Sequence, residues 1–276
     1  MSSGSSPAAL LRQLGLRPRK RLSQSFLVDS RLSHRIARAA DLAERDEVLE
    51  IGPGLGVLTC ALAQRARRVV AVELDPDLAD ALPSRVPQNV HVIQGDALQF
   101  EPAQHLGPGY KLVANLPYHI TSPVLLRYLS HPSPPSCLVV MIQREVAERI
   151  AARPGQLSHL GVAVQSMAAV RIVRLVPREA FFPRPKVESA VVRLDLLLDP
   201  LLPTAERAAF EKLVQAGFAQ PRKQLANSLA QGLGIPKPEA IAVLARAGIR
   251  PSRRPQELTL EEWSALFRAN LALGGG

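Results

Sequence analysis

Cysteine is nearly absent: the 276 residues hold two, Cys60 and Cys137, each inside an apolar run. Such a pair forms neither a disulfide framework nor a metal site and reads as small core hydrophobes suited to a reducing interior. Long hydrophobic runs are also missing. No stretch approaches the ~18 uninterrupted apolar residues of a membrane span, and Met1 to Leu16 lacks a basic start followed by a long apolar core. Neither secretion nor membrane insertion is expected, and the expected location is the cytoplasm. Internal repeats and long low-complexity segments are absent too. Acidic charge is short, with 24 Asp and Glu against 34 Lys and Arg, a formal net charge of +10. That balance favours a polyanionic partner, nucleic acid first, although Arg-rich composition also arises without one.

What is present suits a packed globular chain of one large domain, or of a large and a small one, with 47% apolar residues. From Asp46 to about Leu198, short β-branched runs alternate with longer helical stretches, the pattern of a parallel sheet covered by helices. Expected strands are Val48 to Ile51, Arg68 to Glu73, Val90 to Gln94, Lys111 to Ala114, Leu138 to Ile142, Val170 to Pro177 and Ser189 to Leu196. The last two are joined by the Pro-rich Pro177 to Pro185 without a long crossover helix, which points to an antiparallel addition. Beyond Asp199-Pro200 the pattern becomes helical only, placing a boundary near Leu202.

The chemistry concentrates at strand ends. Glu50-Ile51-Gly52-Pro53-Gly54-Leu55-Gly56 closes the first strand and opens a helix, where a doubly wound sheet binds nucleotides. Dinucleotide fingerprints place the third small residue one position later, and Glu50 would repel phosphates; a carboxylate there suits a cationic or zwitterionic ligand. S-adenosyl-L-methionine, with its ammonium and sulfonium, is such a ligand. Glu73-Leu74-Asp75 places a carboxylate roughly 20 residues after the glycines, positioned for two ribose hydroxyls. Asp96, in Gly95-Asp96-Ala97 after the third strand, is placed to receive an adenine amino group. Singly, Glu73 also reads as a solvated strand end and Asp96 as a cap; together they line one crevice.

Asn115-Leu116-Pro117-Tyr118 follows the fourth strand. An amide oxygen and a backbone carbonyl can both accept from one exocyclic NH2, and the tyrosine supplies a flat face for a base. Alone, these four residues also read as an Asn-x-Pro loop closed by a half-buried tyrosine. His119, beside them, is not assigned a catalytic role.

In order along the chain, Gln24-Ser25-Phe26-Leu27, Glu50-Ile51-Gly52-Pro53-Gly54, Glu73-Leu74-Asp75, Gly95-Asp96-Ala97, Asn115-Leu116-Pro117-Tyr118 and Phe181-Phe182-Pro183-Arg184-Pro185-Lys186-Val187-Glu188-Ser189 together resemble the KsgA-type ribosomal RNA adenine dimethyltransferases. Phe218, Arg222-Lys223, Leu225 and Asn227-Ser228-Leu229 extend the resemblance into the helical segment. It implies a Rossmann-like class I methyltransferase, α/β, with a seven-stranded mostly parallel sheet whose last strand is antiparallel, plus a small C-terminal helical domain. The implied division is a basic arm over 1–20, the methyltransferase domain over 21–200 and a helical RNA-recognition domain over 201–276.

The implied activity is dimethylation at N6 of two adjacent adenosines in a 3′-terminal hairpin loop of 16S rRNA; no metal is expected, and one α/β domain with a helical appendage and no obvious apolar exposed helix points to a monomer. Asn115, Leu116, Pro117 and Tyr118 would form the catalytic segment. Gln24, Ser25, Leu27, Glu50, Gly52, Gly54, Gly56, Glu73, Leu74, Asp96, Ala97 and Asn115 would surround S-adenosyl-L-methionine, and the target adenine would stack between Tyr118 and Phe181. The family commonly has Asn or His where this chain has Ser25, and Phe182 is an aromatic without an assigned partner. Arg19, Lys20, Arg21, Arg222 and Lys223 are candidate phosphate contacts. Two alternatives stand beside this reading: a large-subunit rRNA methyltransferase of the macrolide-resistance type, and a non-catalytic RNA-binding factor of the same fold.

Overall fold

A computed structural model describes residues 6–19, 22 and 24–274. The strands are β1 (Phe26–Leu27), β2 (Glu47–Ile51), β3 (Arg68–Glu73), β4 (Val90–Gln94), β5 (Lys111–Asn115), β6 (Cys137–Gln143), β7 (Ala168–Val176), β8 (Phe181–Phe182) and β9 (Ser189–Leu196). The helices are α1 (Pro7–Gln13), α2 (Ser30–Ala39), α3 (Val57–Ala63), α4 (Pro76–Ala81), α5 (Thr121–Leu129), α6 (Arg144–Ile150), α7 (His159–Gln165), α8 (Arg207–Gly217), α9 (Leu225–Leu233), α10 (Lys237–Arg246) and α11 (Leu260–Gly274).

Seven strands form one sheet in the order β4-β3-β2-β5-β6-β9-β7. From β4 through β6 every neighbouring pair is parallel, and β9 runs antiparallel to β6 with Val140 opposite Val192. The expected mostly parallel sheet with an antiparallel last strand is therefore present. Its central strands are apolar at successive positions because both faces are covered. Cys137, Val139 and Met141 of β6 join Ile36 and Leu62 in one core cluster, whereas the alternate residues Leu138, Val140 and Ile142 are buried as well. The strand order reverses direction between β2 and β5, so the loops after these two strands diverge and leave a crevice at their carboxyl ends.

Helix starts follow local chemistry. Asp29 caps α2 by accepting from Arg31 N at 2.8 Å, and Asp75 caps α4 with Pro76 in its first turn. This second cap makes the chain turn away directly after Glu73, leaving that carboxylate at the strand's end. Two short elements were not expected from the sequence: helix α1, and the antiparallel ribbon of β1 with β8.

The chain packs as two compact units, and the division differs from the expected one at 200. One unit holds the chain up to Ala147 together with Val170–Leu196; the other holds Glu148–Ala169 and the chain from Leu197 onward. The helical unit thus recruits α7, whose Val162 shares a core cluster with Leu213, Leu225, Trp263 and Phe267. The alternating pattern hid this recruitment, because α7 sits between two strands in sequence. The helical core includes Phe218 stacked on Trp263 at 5.5 Å and Phe210 edge-on to Phe267 at 5.7 Å. No helix among the described residues is long and apolar enough to cross a membrane.

Candidate active site

The carboxyl ends of β2, β3, β4 and β5 open into a cavity of about 250 Å³ in the sheet-bearing unit. Its lining includes Gln24, Ser25, Leu27, Glu50, Gly52, Gly54, Glu73, Leu74, Asp96, Ala97 and the whole of Asn115-Leu116-Pro117-Tyr118. Motifs spread over roughly a hundred residues of sequence thus meet at one crevice, as their strand-end positions require.

The glycine turn lets this floor be shallow. Gly54 has φ +56°, and a Cβ there would stand 3.0 Å from the Phe26 ring, itself a lining residue. Gly56 does not line the cavity. It caps α3 with φ +81°, and a Cβ would meet Leu82 Cδ1 at 2.7 Å, so its glycine serves helix packing and not ligand approach.

Two carboxylates sit on the inner wall. Glu73 Oε2 accepts from Gly54 N at 3.0 Å and Oε1 from Asp75 N at 2.9 Å, which fixes the group and leaves each oxygen a lone pair toward the cavity. Burial nevertheless holds its carboxyl above the usual range. Glu50 is 1% exposed, and its Oε2 has no hydrogen-bond partner. Burial, opposed by the neighbouring Thr59 hydroxyl and reinforced by the Glu73 charge, pushes the Glu50 carboxyl up to about 8. A buried, unpartnered carboxylate oxygen at a cavity wall is costly unless something cationic meets it.

At the end of β5, Asn115 donates from Nδ2 to the Ser25 carbonyl at 3.2 Å. Leu116 N bonds Met141 O at 3.1 Å, and the Pro117 carbonyl accepts from Ile120 N at 3.1 Å. Tyr118 shares a hydrogen bond with Ser189 Oγ at 2.8 Å, and burial raises its phenol. Ser189 belongs to the Pro185-to-Ser189 motif but had no role legible in the sequence, since its partner lies 71 positions away. The Ser25 hydroxyl donates to the Pro183 carbonyl at 2.8 Å, tying the end of the β8 turn to the cavity rim.

Several expected residues are placed differently. Phe181 does not line the cavity: it is 4% exposed, packed in the core cluster with Leu27 and Met141. Successive residues of a strand face opposite sides, so Phe182 at 36% is the exposed member of the pair and stands opposite Phe26 in the ribbon. Arg19 is not a free cation. Its guanidinium bonds Asp75 at 2.7 Å and reaches Asp77, and its backbone N donates to Gln24 Oε1 at 2.7 Å. Gln24 in turn donates to Asp75 Oδ2 at 2.8 Å. Over its described residues, 6–19, the expected basic arm is packed against the sheet-bearing unit, with Leu11 of α1 buried against Phe26, Leu55 and Leu78. Lys20 and Arg21 lie outside the described residues. Arg222 and Lys223 are exposed in the helical unit. Among the described residues no three His, Cys, Asp or Glu side chains group as a metal site.

Known proteins resemble this chain over most of its length. Residues 15–268 match the family model described as ribosomal RNA adenine dimethylase. The ribosomal RNA small subunit methyltransferase A of Dehalococcoides mccartyi strain 195 is 45% identical over 255 residues, covering 91% of this chain and 88% of the relative. A dimethyladenosine transferase from Plasmodium falciparum superposes with a TM-score of 0.77 at 26% identity, covering 90% of this chain and 98% of the other. The 23S rRNA methyltransferase ErmE superposes with a TM-score of 0.69 at 32% identity, covering 88% and 98% respectively.

Proposed function

The chain belongs to the ribosomal RNA adenine dimethylase family, and on that premise we propose that it transfers methyl groups from S-adenosyl-L-methionine to N6 of two adjacent adenosines in a 3′-terminal hairpin loop of 16S rRNA. The higher identity to small-subunit enzymes, 45% against 32% for the 23S enzyme, supports the small subunit as substrate.

The single observation that carries the cofactor is the unpartnered buried oxygen of Glu50 at the cavity wall. An ammonium placed there would stabilise the ionised carboxylate, which burial alone disfavours. Glu73, held by two backbone N–H groups, would accept from the ribose hydroxyls, and Asp96 would receive the adenine amine. When bound, the cofactor supplies an already activated methyl sulfonium.

The residues need then only position the nucleophile. Adenine N6 is a poor nucleophile because its lone pair is delocalised into the ring. With Nδ2 engaged by Ser25, Asn115 offers Oδ1 as acceptor for one N6 proton. The Leu116 carbonyl, or the second lone pair of the Pro117 carbonyl that already accepts from Ile120 N, would accept the other. Both contacts draw the amine toward a pyramidal nitrogen aligned with the methyl group, and proximity with orientation supplies several kcal/mol without a strong base. Tyr118, its hydroxyl anchored on Ser189, presents the ring on which the extruded base stacks.

The test is methyl transfer from labelled S-adenosyl-L-methionine to unmethylated small-subunit particles and, separately, to naked large-subunit rRNA, with the product nucleoside identified by mass. N6,N6-dimethyladenosine in the small subunit is expected. Its absence there, with transfer to the large subunit or to neither, overturns the proposal.

A further inference from the structure

The turn that presents Asp96 is clamped from behind by α5. The hydroxyl of Tyr128, a fully buried residue, donates to the Ala97 carbonyl at 2.9 Å. One position earlier, Arg127 donates from Nη2 to the Phe100 carbonyl at 2.8 Å and pairs with Glu101 at 2.7 Å. Inside the turn, Asp96 Oδ1 accepts from Leu98 N at 2.8 Å, and the Asp96 carbonyl accepts from Gln99 N and Phe100 N at 2.9 and 3.0 Å. Internal bonds therefore define the turn's shape, and the two α5 side chains define where it sits. Oδ1 keeps one lone pair and Oδ2 both, so the carboxylate can still accept from a ligand.

The helix that does this is also the one that follows the catalytic segment, starting at Thr121 directly after Tyr118–Ile120. Val124, Leu125, Tyr128 and Leu129 are all fully buried, so α5 cannot shift without repacking the interior around it. One rigid element thereby spans the end of the cavity where the base reacts and the end where Asp96 stands.

We propose that Tyr128 is a positioning residue for the purine end of the cofactor: by holding the Ala97 carbonyl it aims the Asp96 carboxylate, and with it the preference for a base that carries an exocyclic amine. The inference rests on the cofactor reading given above. Tyr110, a neighbour of Tyr128 and Arg127 in the same interior, supplies a contrast, because its hydroxyl is also buried but has no hydrogen-bond partner.

Three measurements compare wild type, Tyr128→Phe and Tyr110→Phe. The first is amide exchange over residues 97–101 in the free protein. The second is KM for S-adenosyl-L-methionine against kcat. The third is the affinity ratio of S-adenosylhomocysteine to S-inosylhomocysteine, which lacks the amine. Tyr128→Phe is expected to speed exchange in the turn, to raise cofactor KM roughly three- to tenfold with kcat within about twofold, and to cut the adenosyl preference by the same factor, as the loss of one buried hydrogen bond implies. Tyr110→Phe is expected to change none of these. Unchanged exchange in Tyr128→Phe, equal effects in both variants, or weakened binding of both nucleosides alike overturns the inference. A wild type that shows no adenosyl preference would sink the cofactor reading instead, and the exchange comparison would still decide whether Tyr128 holds the turn.

Discussion

The side-chain amide of Asn115 donates from Nδ2 to the backbone carbonyl of Ser25 at 3.2 Å. The bond joins a strand end to a segment 90 residues earlier, and it does for the amide what no local contact does: it assigns which end faces the cavity. Because the contact uses the Ser25 backbone, it is indifferent to the side chain at that position. The Ser25 side chain is free for another task, and bonds Pro183. A serine where the family commonly has a longer polar residue is thus compatible with an intact acceptor at Asn115.

Asn115→Asp keeps the shape but removes the Nδ2 donor, placing a carboxylate oxygen against the Ser25 carbonyl. The side chain must rotate away, and the acceptor for N6 loses its aim. Single-turnover methyl transfer is expected to slow by about 100-fold or more, the scale on which loss of one aligned electrostatic contact acts. Cofactor affinity is measured separately by calorimetry, because Asn115 also lines the cofactor cavity, and the slowing is expected to persist at saturating cofactor. A variant that binds cofactor poorly but reacts normally once saturated would contradict the assignment.

Glu50 gives a pH dependence with a definite sign. Its carboxyl is raised to about 8 from the ordinary 4.5, so between these values the folded protein keeps a proton that the unfolded chain releases. Stability of the ligand-free protein is therefore expected to fall as pH rises through that window, by up to about 1.4 kcal/mol per unit. Cofactor affinity should move the opposite way and rise, since the ammonium needs the ionised form. Glu50→Gln should flatten both slopes. Urea unfolding and calorimetric titrations at pH 5, 6, 7 and 8 check this, and parallel slopes in both variants would exclude Glu50 as their source.

The elements whose signal is periodic or punctuated were legible in the sequence, and those whose signal is a distant partner were not. Val48 to Ile51 and Arg68 to Glu73 declare themselves as buried strands, and Gly52 and Gly54 mark the turn from the first of them into α3. From there Glu73 and Asp96 follow by strand-end position alone. Phe181 and Phe182 are a different case. A strand of two residues has no period to read, so which ring enters the core is decided by pairing with Phe26 and Leu27, more than 150 positions away. Arg19 reads as a phosphate contact only because Asp75 and Asp77 are distant in sequence. Gly56 sits in the same motif as Gly52 and Gly54, yet its neighbour is Leu82 and not the cavity. Composition likewise could not show that α7 joins the C-terminal helices.

Tyr118 separates stacking from hydroxyl chemistry. Tyr118→Phe retains the ring and loses the bond to Ser189, so transfer is expected to drop only a few-fold. Tyr118→Ala loses the ring, and base stacking of about 1–3 kcal/mol should cost roughly 5- to 150-fold in kcat/KM for RNA. The comparison is made under single-turnover conditions with saturating cofactor. Equal loss in both variants would mean that the hydroxyl, and not the ring, carries the effect.

Arg19 offers the sharpest division between a residue that holds the protein and one that holds RNA. Its partner Asp75 is 3% exposed and accepts from Arg19, Gln24 and Asp77 N, so removing the guanidinium leaves a buried carboxylate short of its charged donor. Arg19→Ala is expected to lower unfolding free energy by about 1.5–3 kcal/mol, the range for a hydrogen bond to a charged group. Adding Asp75→Asn to the same chain should recover part of the loss, because the buried charge is then gone. RNA affinity tells the other half. A phosphate-contacting arginine would reduce the salt slope of binding by about one unit when removed. Arg19 is already paired within the protein, so that slope should be unchanged in Arg19→Ala at temperatures where the variant is folded. A reduced slope with unaltered stability would show that the pair with Asp75 opens in the complex and that the basic segment serves RNA after all.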